Sequence, residues 1–391
     1  MRVRHLLLAA GSLAAPAAAQ TGPVFTPIVD ARLRYETVNQ DGFASDADAV
    51  TARIRAGFQL KQGDFAMLAE GEGVLAIDER YNSSVNGRTG FPIVADPETI
   101  GLNRLQLQYR GLPRTVATLG RQRINLDDQR FVGSVGWRQD EQTFDAVRVE
   151  SLLPGGIALD ATYAWSDRTI FGIDSPIRAI RGDNIFASLS RAFGPVFLKG
   201  FAVLVDQDMP GRRQFSSQTF GLRATGGFPL GKTAKLSFTA SYARQSDWRD
   251  NPGDYAADYG LGEAALGAHG LTLTGGYEML GAGFQTPLAT LHKFQGWADK
   301  FLVTPANGIR DLYAGIAYAL PTRAIGPISL QLVYHRFASD RLGLDYGSEW
   351  DAQIGLKPMP HTAITLKYAD YAADGFASDT RKFWLQLDYI L

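Results

Sequence analysis

Apolar and polar residues alternate one by one along most of the chain. In the segment 50–61, the apolar set runs through Ile54 and Phe58, and the polar set runs through Arg53 and Arg55. The same alternation recurs in segments 157–166, 235–242, 328–335 and 382–391. A period of two places all the apolar side chains on one face of an extended strand. The pattern therefore predicts strands with one apolar and one polar face.

The connections between these segments are alternately short and long. Short ones lie at 62–64, 111–114, 153–156, 194–195, 268–270 and 357–361. Long ones lie at 39–49, 79–100, 124–140, 168–182, 207–217, 281–309 and 338–348. Short turns on one side and long loops on the other are typical of outer-membrane barrels, with periplasmic turns and extracellular loops.

The physics of the bilayer favours the same architecture. Lipid offers no hydrogen bonds to the backbone, so only helices or closed sheets can cross it. After residue 20, no run approaches the ~20 apolar residues that a spanning helix requires. We therefore expect an all-β fold, a transmembrane antiparallel β-barrel of about 18 strands with 16 as the alternative. Residues 20–391 would form this single domain, with both termini in the periplasm. A secreted soluble β-protein is the competing interpretation.

The first residues have the layout of a secretory signal peptide. Arg2 and Arg4 precede an apolar stretch from Leu6 to Ala15, and small residues lead up to Gln20. A basic start, a short apolar region and a small-residue cleavage site define such signals. Residues 1–19 are therefore predicted to be removed on export, and the barrel is expected in the outer membrane of a Gram-negative cell.

Composition narrows the function. The chain has 391 residues, a formal net charge of −1 and no cysteine. A near-neutral charge argues against a nucleic-acid binder, which usually shows a basic excess. Yet the stretch 120–147 is dense in arginines and acids. A nucleic-acid patch, a solvated surface and the wall of a polar channel could each explain it, and a barrel favours the third.

If the apolar face meets lipid, the polar face lines the pore. Alternation places these arginines inward: Arg32, Arg34, Arg53, Arg55, Arg104 and Arg148. The first four would be neighbours on adjacent strands. Rings of arginine and lysine suit an anion-passing pore, and the planar fork of arginine can donate two parallel hydrogen bonds to a carboxylate. The alternative is that these charges solvate the lumen and brace one another.

At this point the sequence resembles a known family. The stretch "LGRQRINLDDQRFVGSVGWRQDEQTFDAVRVE" (119–150) is similar to the signature of the alginate export family of outer-membrane porins, and 284–313 also resembles segments of that family. The resemblance implies a monomeric eighteen-stranded barrel with an electropositive pore for an anionic polysaccharide. Its motif residues in this chain are Arg121, Arg123, Arg130, Arg138 and Asp145.

Other chemistry is less specific. His292 with Asp299 offers too few ligands for a metal site, Asp127 and Asp128 resemble ordinary loop acids, and Ser329 with His335 would face the lumen rather than lipid. No metal, cofactor or enzymatic activity is expected.

The leading function is a passive channel for anionic oligo- or polysaccharides, with export of an alginate-like polymer as its specific form. Its expected partners are outer-membrane lipid, the barrel assembly machinery and periplasmic export proteins. Uptake of small acidic solutes is the alternative, followed by a barrel lipase or deacylase and a structural barrel. The arginines of the motif, with Arg148 and the Arg53/Arg55 pair, are predicted to form a basic constriction.

Overall fold

The computed structural model describes residues 22–322 and 326–391, so the predicted signal peptide lies outside the described residues. These residues form eighteen strands. They are β1 (Val24–Gln40), β2 (Ala47–Gln62), β3 (Phe65–Arg80), β4 (Thr99–Tyr109), β5 (Thr115–Gln122), β6 (Thr143–Leu153), β7 (Ile157–Arg168), β8 (Ala179–Phe193), β9 (Val196–Val205), β10 (Ser217–Leu230), β11 (Ala234–Asp247), β12 (Ala256–Ala268), β13 (Leu271–Leu280), β14 (Ile309–Leu320), β15 (Ile328–Ala338), β16 (Asp345–Met359), β17 (Thr362–Ala372) and β18 (Thr380–Ile390). Three single-turn 3₁₀ helices lie at Pro154–Gly156, Arg213–Phe215 and Leu291–Lys293. Across the described ranges, no helix combines the length and apolar character needed to cross a membrane.

The strands form one closed antiparallel sheet. Each strand pairs with its neighbours in the chain, and β1 also pairs with β18 from Asp30↔Ile390 to Gln40↔Thr380. Closure leaves no strand with an unpaired edge, which is the condition for a sheet to cross lipid. The predicted antiparallel barrel is confirmed, with eighteen strands rather than the alternative of sixteen.

The two ends of the barrel differ in their connections. One end carries short turns, such as 63–64, 154–156 and 194–195. The other end carries nine longer loops, called L1 to L9 in chain order: 41–46, 81–98, 123–142, 169–178, 206–216, 248–255, 281–308, 339–344 and 373–379. The long loops belong to the extracellular side of such a barrel, so the end that holds the start of β1 and the end of β18 is periplasmic.

The outer surface is apolar and ringed by aromatic residues. Leu222 is 69% exposed and Ile54 is 54% exposed, which in a soluble protein would place large apolar side chains in water. Near the extracellular end, outward-facing tyrosines donate to outward-facing aspartates, as Tyr242 does to Asp258 at 2.7 Å. An apolar band bounded by aromatic girdles is the lipid-facing surface of a membrane barrel.

Adjacent positions on β15 give a direct test of this orientation. Leu332 is exposed on the outside, whereas Gln331 lines a cavity inside the barrel. Leu332→Lys should destabilise the folded barrel by about 2–4 kcal/mol because it places a charge against lipid. Gln331→Lys should fold normally, since its ammonium group would face water. Urea unfolding in lipid vesicles measures both. Equal stability of the two variants would mean that the inside and outside faces are wrongly assigned.

The extracellular half of the lumen is filled by L3 and L7, which enter it and pack on each other. The amide of Gly133 donates to the carbonyl oxygen of Leu288 at 2.9 Å. Trp137 of L3 packs with Phe284 and Phe301 of L7 against Trp384 of the wall. Because these loops bury apolar side chains inside a barrel that otherwise has a polar lumen, they form its internal core.

Candidate functional site: the lumen around L3 and L7

The two internal loops divide the lumen into two cavities. The outer cavity, on the extracellular side, has a volume of about 520 Å³ and is bordered by loops L1 to L5 and L7. The inner cavity has a volume of about 700 Å³ and lies against β10 to β17. His292, at the short helical turn of L7, lines both cavities. It therefore lies between the two cavities.

His292 is held in one orientation by both ring nitrogens. Its Nδ1 lies 2.8 Å from Asp299 Oδ1. Its Nε2 lies 2.8 Å from the Nζ of Lys367, whose N–H donates to that nitrogen. Burial, together with the charge of Lys367, holds the pKa of His292 well below its usual range. The ring is therefore neutral at pH 7, donating from Nδ1 and accepting at Nε2.

Three tryptophans surround Lys367. The Nζ atom lies 3.7 Å from the ring centroid of Trp297, 4.0 Å from that of Trp137 and 5.4 Å from that of Trp384. Trp137 also stacks on His292, with ring centroids 4.6 Å apart and planes 4° apart. Aromatic faces attract a cation most strongly where water is excluded. The cage therefore fixes L3 and L7 to β17 and β18 at the narrow part of the lumen.

Arg138 joins four parts of the structure. Its guanidinium lies 3.3 Å from Glu36 of β1, 3.1 Å from Asp299 of L7 and 3.9 Å from Asp96 of L2. Its own carbonyl oxygen accepts a hydrogen bond from Arg32 at 3.3 Å. The side chains of Arg138, Glu36, Asp96 and Asp299 are all buried. A change at Arg138 would leave Glu36 without this cation, whereas Asp96 would keep Arg34 and Asp299 would keep Lys382.

The other predicted inward arginines are also paired. Arg130 lies 2.9 Å from Glu278, Arg55 3.3 Å from Glu141, Arg123 2.8 Å from Glu141, Arg104 2.7 Å from Glu70, Arg148 2.7 Å from Asp160, Arg32 2.7 Å from Asp388 and Arg34 3.4 Å from Asp96, and Arg53 contacts Asp30. The arginines expected to be neighbours do meet, since Arg32 and Arg53 are opposite each other on β1 and β2. Because these arginines have carboxylate partners, the structure favours a role in bracing the lumen over a ring of unpaired cations.

Arg121 and Asp145 are placed differently from the prediction. They pair with each other at 2.7 Å on β5 and β6. Phe144 and Ala146, on either side of Asp145, belong to the buried cluster that faces L3 and L7. Alternation therefore turns Asp145, and Arg121 opposite it, toward the outer side of the wall. These two motif residues do not line the lumen.

The outer cavity combines an apolar lining with an excess of cations. Phe43, Ile93, Phe171, Phe215 and Leu302 contribute apolar surface. Four cations line it, Arg138, Arg212, Lys300 and Lys382, against the two carboxylates of Asp167 and Asp299. Burial and the adjacent charge of Lys382 lower the pKa of Lys300 to about 8. Sequence analysis overlooked Lys300 and Arg212 because both lie in loops, where no alternation indicates which way a side chain points.

Solved structures of the same architecture are outer-membrane porins. A BenF-like porin from Pseudomonas fluorescens Pf-5 has a TM-score of 0.74 at 14% identity, covering 94% of this chain and 98% of that one. OpdK from Pseudomonas aeruginosa, solved with vanillate, has a TM-score of 0.70 at 15% identity, covering 93% and 98%. OccK5 (OpdH) from Pseudomonas aeruginosa has a TM-score of 0.70 at 12% identity, covering 94% and 98%. At these identities the comparison establishes the fold. The predicted fold class and location in the outer membrane are confirmed.

The predicted resemblance to the alginate export family is wrong. No protein-family model matches the sequence, and no curated protein matches it significantly. The structures that match it are substrate-specific porins of another kind, and nothing in them supports polymer export or periplasmic export partners. Within 119–150, Arg123, Arg130 and Arg138 pair with carboxylates and hold L3 inside the barrel. The motif therefore indicates that a loop narrows the lumen, and it does not indicate which solute passes.

Proposed function

We propose that this protein is a passive outer-membrane channel that admits small acidic solutes. The observation that carries the proposal is the outer cavity, where Lys300 and Arg212 lie beside an apolar wall. Among the described residues, no carboxylate oxygen lies within 4.0 Å of the charged nitrogens of these two side chains. A volume of about 520 Å³ lies within the range of sites for a single small molecule. Cations at the entrance of a pore raise the local concentration of anions.

The arrangement of L3 and L7 supports a small solute over a polymer. A threaded polysaccharide needs a continuous wide lumen, whereas here the two loops pack on each other and on the wall through Trp137, Phe301 and Trp384. An apolar lining next to cations suits a carboxylate attached to an apolar body. The solved OpdK structure contains vanillate, a molecule of this chemistry, which is consistent with the proposal.

Bilayer electrophysiology tests the proposal. The full-length mature protein is inserted into planar bilayers, and the reversal potential is measured across a gradient of sodium benzoate. Benzoate should be more permeant than sodium, as the sign of the reversal potential would show. A preference for sodium would exclude an acid-selective channel.

Lys300 is the cation best suited to a selectivity test, because it lines the outer cavity from L7. Lys300→Gln should lower the permeability ratio of benzoate to sodium by roughly two- to fivefold at low salt, since one charge near a partly buried path acts at reduced dielectric. The effect should nearly vanish at about 1 M salt, where screening acts within ~3 Å. Lys232→Gln, an exposed lysine in the periplasmic turn after β10, is the control with the same charge change.

The lowered pKa of Lys300 gives a second signature. Below about pH 8 the side chain is charged and attracts anions, and above it the charge is lost. Anion preference of the wild type should therefore decline as pH rises through about 8. Lys300→Gln should show no such step, so the measurement is the reversal potential of both proteins across this pH range. A step of the same size in both would assign the titration to another group.

A further inference from the structure

A groove in the outer wall at the extracellular rim is separate from the lumen. It has a volume of about 840 Å³ and lies between the ends of β6 to β8 and loop L4. We call it the rim groove and define it by six of its lining residues: Asp145, Trp165, Arg168, Asp174, Arg178 and Arg181. The channel function described above uses none of them.

The rim groove is continuous with the lipid-facing surface. Trp165 and Tyr163 are each 40% exposed, whereas Ala164 between them is buried on the inner side. Ile185 on β8 extends the same outward face toward the periplasmic side. Tryptophan and tyrosine prefer the depth of the lipid headgroups. The arginines of the groove, at the ends of these strands, therefore lie at or just above headgroup level.

The charges of the rim groove are unbalanced. Asp145 accepts hydrogen bonds from two arginines, Arg121 at 2.7 Å and Arg168 at 2.9 Å. Arg178 donates to the carbonyl oxygen of Ile173 at 3.0 Å and is otherwise exposed, as Arg181 is. Among the described residues, no carboxylate oxygen lies within 4.0 Å of the charged nitrogens of Arg178 or Arg181.

Other outward arginines on the same rim are neutralised. Arg244 pairs with Asp258 at 2.9 Å and Arg381 pairs with Asp370 at 3.3 Å. The rim groove departs from this arrangement because Arg168, Arg178 and Arg181 share it with Asp145 and Asp174, and Asp145 is also paired with Arg121. An excess of guanidinium groups beside an interfacial tryptophan matches the chemistry of a phosphate-bearing headgroup.

We propose that the rim groove binds the phosphate of a lipid in the outer leaflet of the membrane. Arg178 and Arg181 donate to the phosphate oxygens, with Arg168 at the side of the groove. The headgroup sugar or backbone packs on Trp165, and an acyl chain follows the apolar surface of Tyr163 and Ile185. A lipid fits better than a free phosphate ion because the basic part of the groove opens directly onto apolar wall.

The test measures lipid binding to the full-length mature protein in detergent by native mass spectrometry. The probe is diphosphorylated lipid A, compared with lipid A from which both phosphates have been removed. Arg178→Gln combined with Arg181→Gln should weaken binding of the phosphorylated probe about 30-fold, at roughly fivefold for each basic residue near an anionic lipid. Arg178→Lys combined with Arg181→Lys should retain most of the affinity, because the charge is kept.

Arg244→Gln combined with Arg381→Gln is the matched control, because both arginines are exposed on the same rim and the charge change is identical. This control should bind the phosphorylated probe as the wild type does. Three results would each overturn the proposal: unchanged binding by the Arg178/Arg181 glutamine variant, equal binding of the two forms of lipid A, and displacement of the lipid by millimolar inorganic phosphate. Heat-modifiable migration on gels confirms that every variant is folded.

Discussion

Arg138→Gln should release L3 and L7 from the wall while the barrel itself stays closed. Removing one partner of a buried ion pair costs about 3–5 kcal/mol, because the remaining charge is left without compensation. Here Glu36 would lose its cation, whereas Asp96 and Asp299 would keep Arg34 and Lys382. The backbone hydrogen bonds between the strands are unaffected, so we expect the loss of stability to appear in the loops first. Hydrogen exchange of the amides at 136–142 and 297–301 should become much faster, and the single-channel current should become noisier.

Arg310→Gln serves as the control for that result. Arg310 pairs with Asp340 at 3.0 Å, but its side chain is 46% exposed. Exposed pairs contribute about 0–1 kcal/mol, so little should change. If Arg138→Gln left loop exchange unaltered and lowered anion selectivity instead, Arg138 would act on the solute directly and would not be a brace.

Removal of L7 from the lumen should give the largest change in conductance. Replacing residues 286–305 by a Gly-Ser-Gly linker keeps the ends of β13 and β14 in place and removes the loop on which L3 packs inside the barrel. A barrel of 16–18 strands without internal loops encloses a wide aqueous channel. Conductance should therefore rise several-fold, and the preference for benzoate should fall because Lys300 and the narrow path are both removed. Single-channel recording in planar bilayers measures both quantities.

A deletion of residues 87–90 at the exposed tip of L2 is the matched control. These residues lie at the surface and are exposed, so conductance and selectivity should stay close to the wild type. A large increase in conductance with this deletion would mean that any shortened loop opens the pore. An unchanged conductance in the L7 variant would show that L3 alone sets the constriction.

Strands were predictable because their signal is local. Alternation at residues such as Arg34, Arg53 and Arg55 depends only on which neighbours face lipid, so the pattern predicts both the strand and its inward face, and the structure buries all three side chains. The same logic could have placed Asp145, since it lies three residues from the inward Arg148 and must face the other way. The motif suggested that Asp145 lines the pore. The alternation of side chains along β6 places it on the outer face instead.

The interior of the barrel was not predictable in the same way. L3 and L7 have no regular period, so nothing in the sequence indicates that Trp137 stacks on His292 or that Lys300 lies beside Lys382. These contacts join residues far apart in the chain and depend on how two loops pack. The acid partners of the arginines are likewise distributed over β1, L2 and β13. Of the two hypotheses for the arginines, only the one in which the lumen charges brace one another predicts these acid partners.

The pairing of β1 with β18 has a consequence for how the protein forms. Eleven residue pairs of this ladder join Asp30–Gln40 to Thr380–Ile390, so the barrel closes through contacts between its first and last strands. Contacts at such sequence separation carry a high entropic cost and slow folding. Until β18 arrives, β1 has an open edge that can pair with other chains. The rate at which β18 closes on β1 therefore sets how long the chain is open to association with its copies.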